Sequence, residues 1–319
     1  MSNVAFIFPG QGSQSVGMGR DLAATSPAAA AVFAAADDAL GESISTLAWE
    51  GPEDRLNLTE NAQPALLATS IAYLVAASER AAAAGMELPE PRFAAGHSMG
   101  QYSAMVAAGA LDLADGVRLV RERGIQMQAS GSGRDGAMAA VLGLDEAAIP
   151  ELIRRASAHG VFAVANRNSP GQVVVSGERT AIDAAAELAK TLGAKRAIVL
   201  PVSVAAHSPL MTDAAAAMRA ILATVEFHDP RVPLLANADA RLVTTADGAR
   251  AELVEHLTAG VDWVSAVEAM IAAGVDTFVE VGPGKVLTNL VKRIAPDATT
   301  VALEDALDAE TFDLPFLVS

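Results

Sequence analysis

Short apolar runs separated by helix-length stretches set the rhythm of this chain. Residues 4–8, 93–95, 232–236 and 277–281 are compact and apolar, and the intervals between them are long enough to hold helices. Such alternation predicts an α/β fold, with a mainly parallel sheet covered by helices on both faces. Between residues 132 and 203 the pattern changes. Apolar alternation at 137–144, 161–167, 172–177 and 197–202 predicts four strands, and 145–159 and 178–192 carry helical spacing. The resulting order is β-α-β-β-α-β, with Asn168-Ser169-Pro170-Gly171 as the central turn. That order is the ferredoxin-like split βαβ. The expectation is therefore a large α/β domain made of residues 1–131 and 204–319, with a small ferredoxin-like domain, 132–203, inserted in it. A cleft between the two is a preferred place for a ligand. Residues 304–319 read as a loosely attached tail.

Composition narrows the picture. The 319 residues suffice for a sizeable core without disulfides or metals, and there is no cysteine. That excludes thiolate catalysis and Cys-ligated zinc, and a cytoplasmic location is expected. No basic stretch precedes residues 4–8, so they are expected to form a first strand rather than a leader. The long hydrophobic tracts are alanine-dominated and interrupted by charges, so no membrane span is expected. With 22 basic and 38 acidic side chains, the net charge of −16 argues against a general nucleic-acid or anionic-membrane binder. An anionic ligand would have to meet a local basic site.

Candidate chemistry begins at Gly96-His97-Ser98-Met99-Gly100, a G-x-S-x-G between an apolar run and helical spacing at Tyr102, Met105, Val106 and Leu111. In a strand–turn–helix context this is a nucleophile elbow, where a tight turn lifts the serine hydroxyl clear of the sheet and small residues let chain segments pass. Ser98 is thus expected to carry an ester. Of five histidines, His97 adjoins the serine but points away on an elbow, and His159 and His228 read as surface residues. His207, in Val204-Ala205-Ala206-His207-Ser208-Pro209, sits at a turn after a strand and is the candidate base. Asp112, Asp115, Asp135, Asp145 and Asp183 read as helix starts or solvated positions, which favours a Ser-His dyad over a triad. The loop Phe8-Pro9-Gly10-Gln11-Gly12-Ser13-Gln14 leaves the first strand through two glycines, so a backbone N–H there can join that of Met99 around an oxyanion. Its spacing misses a dinucleotide fingerprint, and Gly282-Pro283-Gly284-Lys285 lacks the gap of a P-loop. Nothing implies a metal or an organic cofactor.

Arg123 is the most informative charge. Arg118 and Arg121 are expected to share one solvated stripe of a helix, while Arg123 lies about 200° from Arg121 at 3.6 residues per turn. Leu119, Val120 and Met127 share its apolar side. A guanidinium there needs an anion, either an internal Asp or Glu or the free carboxylate of a substrate.

Taken in order, Pro9-Gly10-Gln11-Gly12-Ser13-Gln14, Gly96-His97-Ser98-Met99-Gly100, Arg123-Gly124-x-x-Met127-Gln128, Asn166-x-Asn168-Ser169-Pro170-Gly171-Gln172, His207-Ser208 and Val281-Gly282-Pro283-Gly284-Lys285-Val286-Leu287 resemble the malonyl-CoA:acyl carrier protein transacylases. The resemblance runs from Asn3 to about Arg293. It implies a ping-pong cycle in which Ser98 attacks the thioester of malonyl-CoA with His207 as base. Backbone N–H groups of Gln11 and Met99 would hold the oxyanion, Arg123 would bind the malonyl carboxylate, and a carrier-protein phosphopantetheine thiol would take the acyl group. Met127 and Asn166 would line the substrate cleft. The resemblance fits a stand-alone enzyme of fatty acid synthesis or one acting in trans on a polyketide synthase.

Four positions depart from the usual pattern. Gln101 replaces a glutamate after the elbow, and Met99 replaces a leucine. His256 falls where a glutamine commonly orients the catalytic histidine, a task it retains if a backbone carbonyl performs it. Ala206 precedes His207 where relatives often carry Phe or Ser, leaving room beside the α-carbon of the acyl group. Methylmalonyl or ethylmalonyl selectivity is therefore an alternative, as is a serine acyl hydrolase with water as acceptor. A noncatalytic docking domain is a further one. An acidic carrier would need a basic rim, for which Lys285, Lys292 and Arg293, or Lys190, Lys195 and Arg196, are candidates.

Overall fold

The computed structural model describes residues 3–131, 135–202 and 204–308. Its strands are β1 (Val4–Phe8), β2 (Phe93–Gly96), β3 (Gly136–Leu142), β4 (Phe162–Ser169), β5 (Gln172–Glu178), β6 (Arg196–Val199), β7 (Leu234–Leu235), β8 (Leu242–Val243), β9 (Val261–Asp262), β10 (Thr277–Glu280) and β11 (Thr299–Ala302). They form two sheets, ordered β11-β10-β1-β2-β7-β8 and β6-β3-β5-β4-β9. In the larger sheet, β11, β10, β1, β2 and β7 run parallel and only β8 pairs antiparallel.

The central strand β1 is buried at all five residues because both faces are covered. Period-2 alternation sends Val4, Phe6 and Phe8 into a core with Leu66, Leu67 and Val120, while Ala5 and Ile7 pack with Trp263, Phe278 and Leu287. The first layer contains helices Thr59–Ala83 and Leu113–Gly131, and the second contains Trp263–Ala272 and Val286–Ile294. This is the expected α/β arrangement, and it brings the end of β2 to the middle of the sheet, with Gly96 opposite Phe8.

The second sheet buries one face, through Ala137, Ala139, Val141, Val173 and Val175, against Leu152, Ile182, Ala185 and Ala189 of helices Ile149–Ala156 and Arg179–Thr191. Its opposite face presents Met138, Ala165 and Val174, which pack with Leu200 and Ala206. Pairs β3–β5, β3–β6 and β4–β5 are antiparallel. Short β9 then joins β4 in parallel, with Asn166 opposite Val261, and the Arg167 guanidinium reaches Asp262 at 2.6 Å. Residues 132–134 and Ser203, where the expected domain junctions fall, lie outside the described residues.

Several elements differ from the sequence expectation. The stretch 145–159 is an α-helix, Ile149–Ala156, flanked by two 3-10 turns; Pro150, which lacks the N–H that a continuous helix would use, stands at its junction with the first of them. The strand expected at 197–202 ends at Val199, ahead of Pro201. Of 232–236, only Leu234–Leu235 is strand. The start of the expected tail is instead a packed helix, Leu303–Asp308. Leu303 and Leu307, one turn apart, are buried, and Glu304 accepts from Tyr73 Oη and from the Gly284 N–H. Residues 309–319 lie outside the described residues. Arg121 leaves the solvated stripe assigned to it: its side chain is 15% exposed and donates to Asn61 Oδ1 and Glu42, tying its helix to two neighbours, whereas Arg118 is exposed. Among the described residues, no helix is long and apolar enough to cross a membrane.

Candidate active site

The turn after β2 works only with glycine at its two crossings. A Cβ on Gly96 would sit 2.0 Å from the Gly100 carbonyl carbon, and one on Gly100 would sit 2.1 Å from Phe8 O. Helix Gly100–Ala107 therefore starts hard against β1, and Ser98 is forced to φ 54, a left-handed conformation uncommon for a non-glycine residue. Strain of this kind persists where surrounding structure over-determines it. Here the Ser98 N–H donates to Asn237 Oδ1 at 2.8 Å, Asn237 Nδ2 donates to Gly96 O at 3.1 Å, and His97 N donates to Phe8 O at 3.0 Å. Gln101 joins the same brace. Its Oε1 accepts from the Gly96 N–H at 2.9 Å and its Nε2 donates to Leu235 O at 3.0 Å, a second role that an ionised glutamate, lacking a donor, would not fill.

His207 is likewise at positive φ, 58, in the turn before Pro209. Its Nδ1 donates to the backbone carbonyl of His256 at 2.6 Å, which leaves Nε2 as the acceptor facing Ser98 Oγ at 2.8 Å. A carbonyl thus stands where a triad would place a carboxylate. Burial, then the Arg123 guanidinium, push the His207 imidazole down to about 3, so it is neutral at physiological pH and able to take a proton. The other histidines divide as expected. His97 turns away from Ser98 and meets Asn168 Oδ1 at 2.8 Å, and His159 and His228 are exposed.

Arg123 is 1% exposed, on the inner face of helix Leu113–Gly131. Its Nη2 donates to Ser98 Oγ at 3.1 Å and lies 3.3 Å from His256 Nε2, while its Nη1 donates to Gln63 Oε1 at 2.8 Å. Gln63 Nε2 in turn faces Met127 Sδ at 3.8 Å. No Asp or Glu pairs with Arg123 among the described residues, and its Nε has no partner there. The internal-ion-pair reading therefore finds no carboxylate, and burial pushes the guanidinium down only to about 10, leaving it charged. A cation next to the serine hydroxyl, held by neutral side chains, is suited to an anionic ligand.

The remaining sequence candidates surround this centre. No hydrogen bond among the described residues engages the Gln11 or Met99 backbone N–H, while the Gln11 side chain donates to Thr59 Oγ1 at 3.3 Å. Asn166 sits on β4 beside a register shift, and its buried Oδ1 has no partner among the described residues. Ala206 is half-buried against Met138, Ala165 and Val174. His256 is fully buried, edge-on to Tyr102. Of the basic-rim residues, Lys285 pairs with Asp305, Lys190 with Glu187, and Arg293 donates to Gln172, whereas Lys195, Arg196 and Lys292 are exposed.

Sequence reasoning missed Gln63, Asn237 and Glu252. Gln63 follows Thr59, Glu60 and Asn61 at the polar start of helix Thr59–Ala83, so nothing in the sequence singles it out, although it is 0% exposed in the fold. Asn237 follows β7 at the head of a tight hairpin, and Glu252 lies on helix Ala246–Ala259, one turn before His256. No local pattern marks either of them.

A strained elbow serine bonded to a neutral imidazole can form an ester, and a buried guanidinium beside it can meet an anionic group: this is the arrangement of an acyl-transferring serine enzyme. Comparison with known proteins agrees. The chain belongs to the acyl transferase domain family, whose sequence model matches residues 5–307, and it is an acyltransferase. It is 45% identical over 305 residues to the malonyl CoA-acyl carrier protein transacylase of Escherichia coli (strain K12), covering 96% of this chain and 97% of that one. The crystal structure of the acyl-carrier-protein S-malonyltransferase from Bartonella henselae superposes with a TM-score of 0.90 at 43% identity, covering 97% and 99% of the two chains. A malonyl-transacylase solved in complex with a type II polyketide acyl carrier protein superposes with a TM-score of 0.89 at 39% identity, covering 96% and 99%.

Proposed function

We propose that this chain transfers a malonyl group from coenzyme A to the phosphopantetheine thiol of an acyl carrier protein, through an ester on Ser98. The observation that carries the reading is Arg123, a buried guanidinium 3.1 Å from Ser98 Oγ with no carboxylate partner among the described residues. A malonyl thioester ends in the free carboxylate such a group would pair with, and an acetyl group would leave it unpaired.

In the first half-reaction, Ser98 Oγ attacks the thioester carbonyl as His207 Nε2 takes the hydroxyl proton. The resulting oxyanion meets the backbone N–H groups of Gln11 and Met99. Collapse breaks the C–S bond, and the proton passes from His207 to the departing CoA sulfur. The carrier thiol then gives its proton to His207 and attacks the ester, which returns Ser98 with its hydroxyl. His256 acts through its carbonyl, which fixes the His207 tautomer, and Met127, Asn166 and Ala206 border the acyl group. In this reading residues 132–203 are a ferredoxin-like insert, supported by the strand order β6-β3-β5-β4, and its β4 supplies Asn166 to the cleft. The location is cytoplasmic, where CoA thioesters and carrier proteins are available.

A second reading, selectivity for methylmalonyl or ethylmalonyl, draws on the short side chain at Ala206 next to His207. Intact-protein mass after brief competition among malonyl-, methylmalonyl-, ethylmalonyl- and acetyl-CoA decides between them. A dominant malonyl adduct, lost in Ser98→Ala, is the expected result, and a dominant alkylmalonyl adduct would transfer the assignment to the second reading. Dominant acetylation would overturn the role given to Arg123, and fast release of free acid without carrier protein would indicate a hydrolase.

A further inference from the structure

Two buried polar residues outside the reacting groups connect both halves of the Ser-His pair. Asn237 holds the elbow from both sides, accepting the Ser98 N–H at 2.8 Å and donating to Gly96 O at 3.1 Å. Its own backbone N–H donates to Glu252 Oε1 at 2.7 Å, and its backbone carbonyl accepts the Asp262 N–H at 2.6 Å. Glu252 is fully buried and shares helix Ala246–Ala259 with His256, whose Nδ1 lies 3.8 Å from Glu252 Oε1 and whose carbonyl holds His207 Nδ1. One carboxyl therefore accepts a hydrogen bond from the residue that braces the nucleophile and lies beside the residue that orients the base, whose Nδ1 has no hydrogen-bond partner among the described residues.

We propose that Asn237 and Glu252 are positioning residues that hold Ser98 and His207 in register for acyl transfer, with Glu252 working as its carboxylate. An apolar side chain at 252 would leave the Asn237 N–H unpaired in the interior, and a carboxyl there is costly to desolvate, so the position holds a polar group at a cost. The surroundings of Glu252 are mixed. Arg241 Nη2 lies 3.5 Å from Oε2, but that guanidinium is 38% exposed and also pairs with Asp239 and Glu255. Glu255 and neutral His256 face it from its own helix, and Tyr102 faces it from the elbow helix. Burial outweighs these partners and pushes the Glu252 carboxyl up to about 7. The carboxylate is the stronger acceptor for the Asn237 N–H, so the brace tightens as pH rises through that value. His207, held down to about 3, contributes no step there.

The test measures pre-steady-state acylation by malonyl-CoA, and in parallel the rate of phosphonylation by an alkyl fluorophosphonate, which needs the Ser-His pair but no malonyl pocket. Asn237→Ala is expected to lower the acylation rate at saturating substrate about tenfold or more, with KM changed less than about twofold, because Arg123 and Gln63 are untouched. The fluorophosphonate rate should fall in the same ratio. In the wild type both rates should rise across neutral pH, and Glu252→Gln should flatten that rise. Glu280→Gln is the control: Glu280 is equally buried but only caps helix Val286–Ile294 through the Leu287 and Thr288 N–H groups, so its loss should lower Tm without slowing either reaction per folded molecule.

If Asn237→Ala reacts within about twofold of wild type per folded molecule, or if Glu252→Gln keeps the pH step, the inference is overturned. Should Asn237→Ala fail to fold, the near-isosteric Glu252→Gln decides on its own pH profile. The inference uses the malonyl reading only for its first readout: a wild type that takes the fluorophosphonate but not malonyl-CoA would sink that reading, and the fluorophosphonate rates would still judge the brace.

Discussion

The Ser98–His207 side of the site is anchored chiefly by main chain, with the Asn237 and Gln101 side chains bracing the elbow, whereas the Arg123 side is anchored by other side chains. Ser98 and His207 both sit at positive φ. Glycine crossings at 96 and 100 fix one, and the backbone carbonyl of His256 fixes the other. Arg123 is held instead by Gln63 and by the edge of His256, neutral groups that leave its charge unpaired by protein. Groups that make and break bonds are thus set first by the path of the chain and then by the side chains that brace it. The group proposed to choose the acyl unit rests on residues that can be exchanged singly. Chemistry and selection should therefore separate under mutation.

The largest effect should fall on the main-chain side. His207→Ala removes the base and is expected to lower acylation by about 10³-fold while leaving malonyl-CoA binding within a few-fold, as read by quench-flow and by equilibrium binding to Ser98→Ala. Next comes Arg123→Ala. Loss of a buried charged partner for the carboxylate is expected to reduce kcat/KM for malonyl-CoA by about 10²-fold or more and to raise the share of acetyl-CoA accepted in competition. Equal losses for malonyl- and acetyl-CoA would break the comparison, because Arg123 would then be supporting the dyad rather than selecting the acyl group.

What the sequence made legible follows the same division. The elbow could be read because steric demands leave a local mark: two glycines flank a serine between a strand and a helix. Arg123 could be read because a charge on an apolar helical face violates amphipathic order. Asn237 and Gln63 carry no such mark, since their partners lie 139 and 60 residues away and only the folded sheet brings them together. The two-residue strands β8 and β9 are too short for alternation to register. Arg121 was misplaced for a related reason. Helical periodicity says which way a side chain points, but not that Asn61 and Glu42 stand there to meet it.

The smallest effects should come from the exchangeable supports of Arg123 and from the wall of the acyl pocket. Gln63→Ala deletes one neutral hydrogen bond to a charged group, worth about 1.5–3 kcal/mol, and should raise KM for malonyl-CoA by roughly tenfold with little change in kcat. Ala206→Phe fills space beside His207 at the face of the second sheet, where Met138, Ala165 and Val174 already pack. A pocket that loses room for one methyl group discriminates by about 1–3 kcal/mol, so methylmalonyl-CoA should lose about tenfold against malonyl-CoA in mixed-substrate mass analysis. Overpacking against those neighbours will also lower Tm. The ratio of the two adducts within one sample cancels that loss of folded protein, and an unchanged ratio would mean that the α-carbon of the acyl group lies against a different wall.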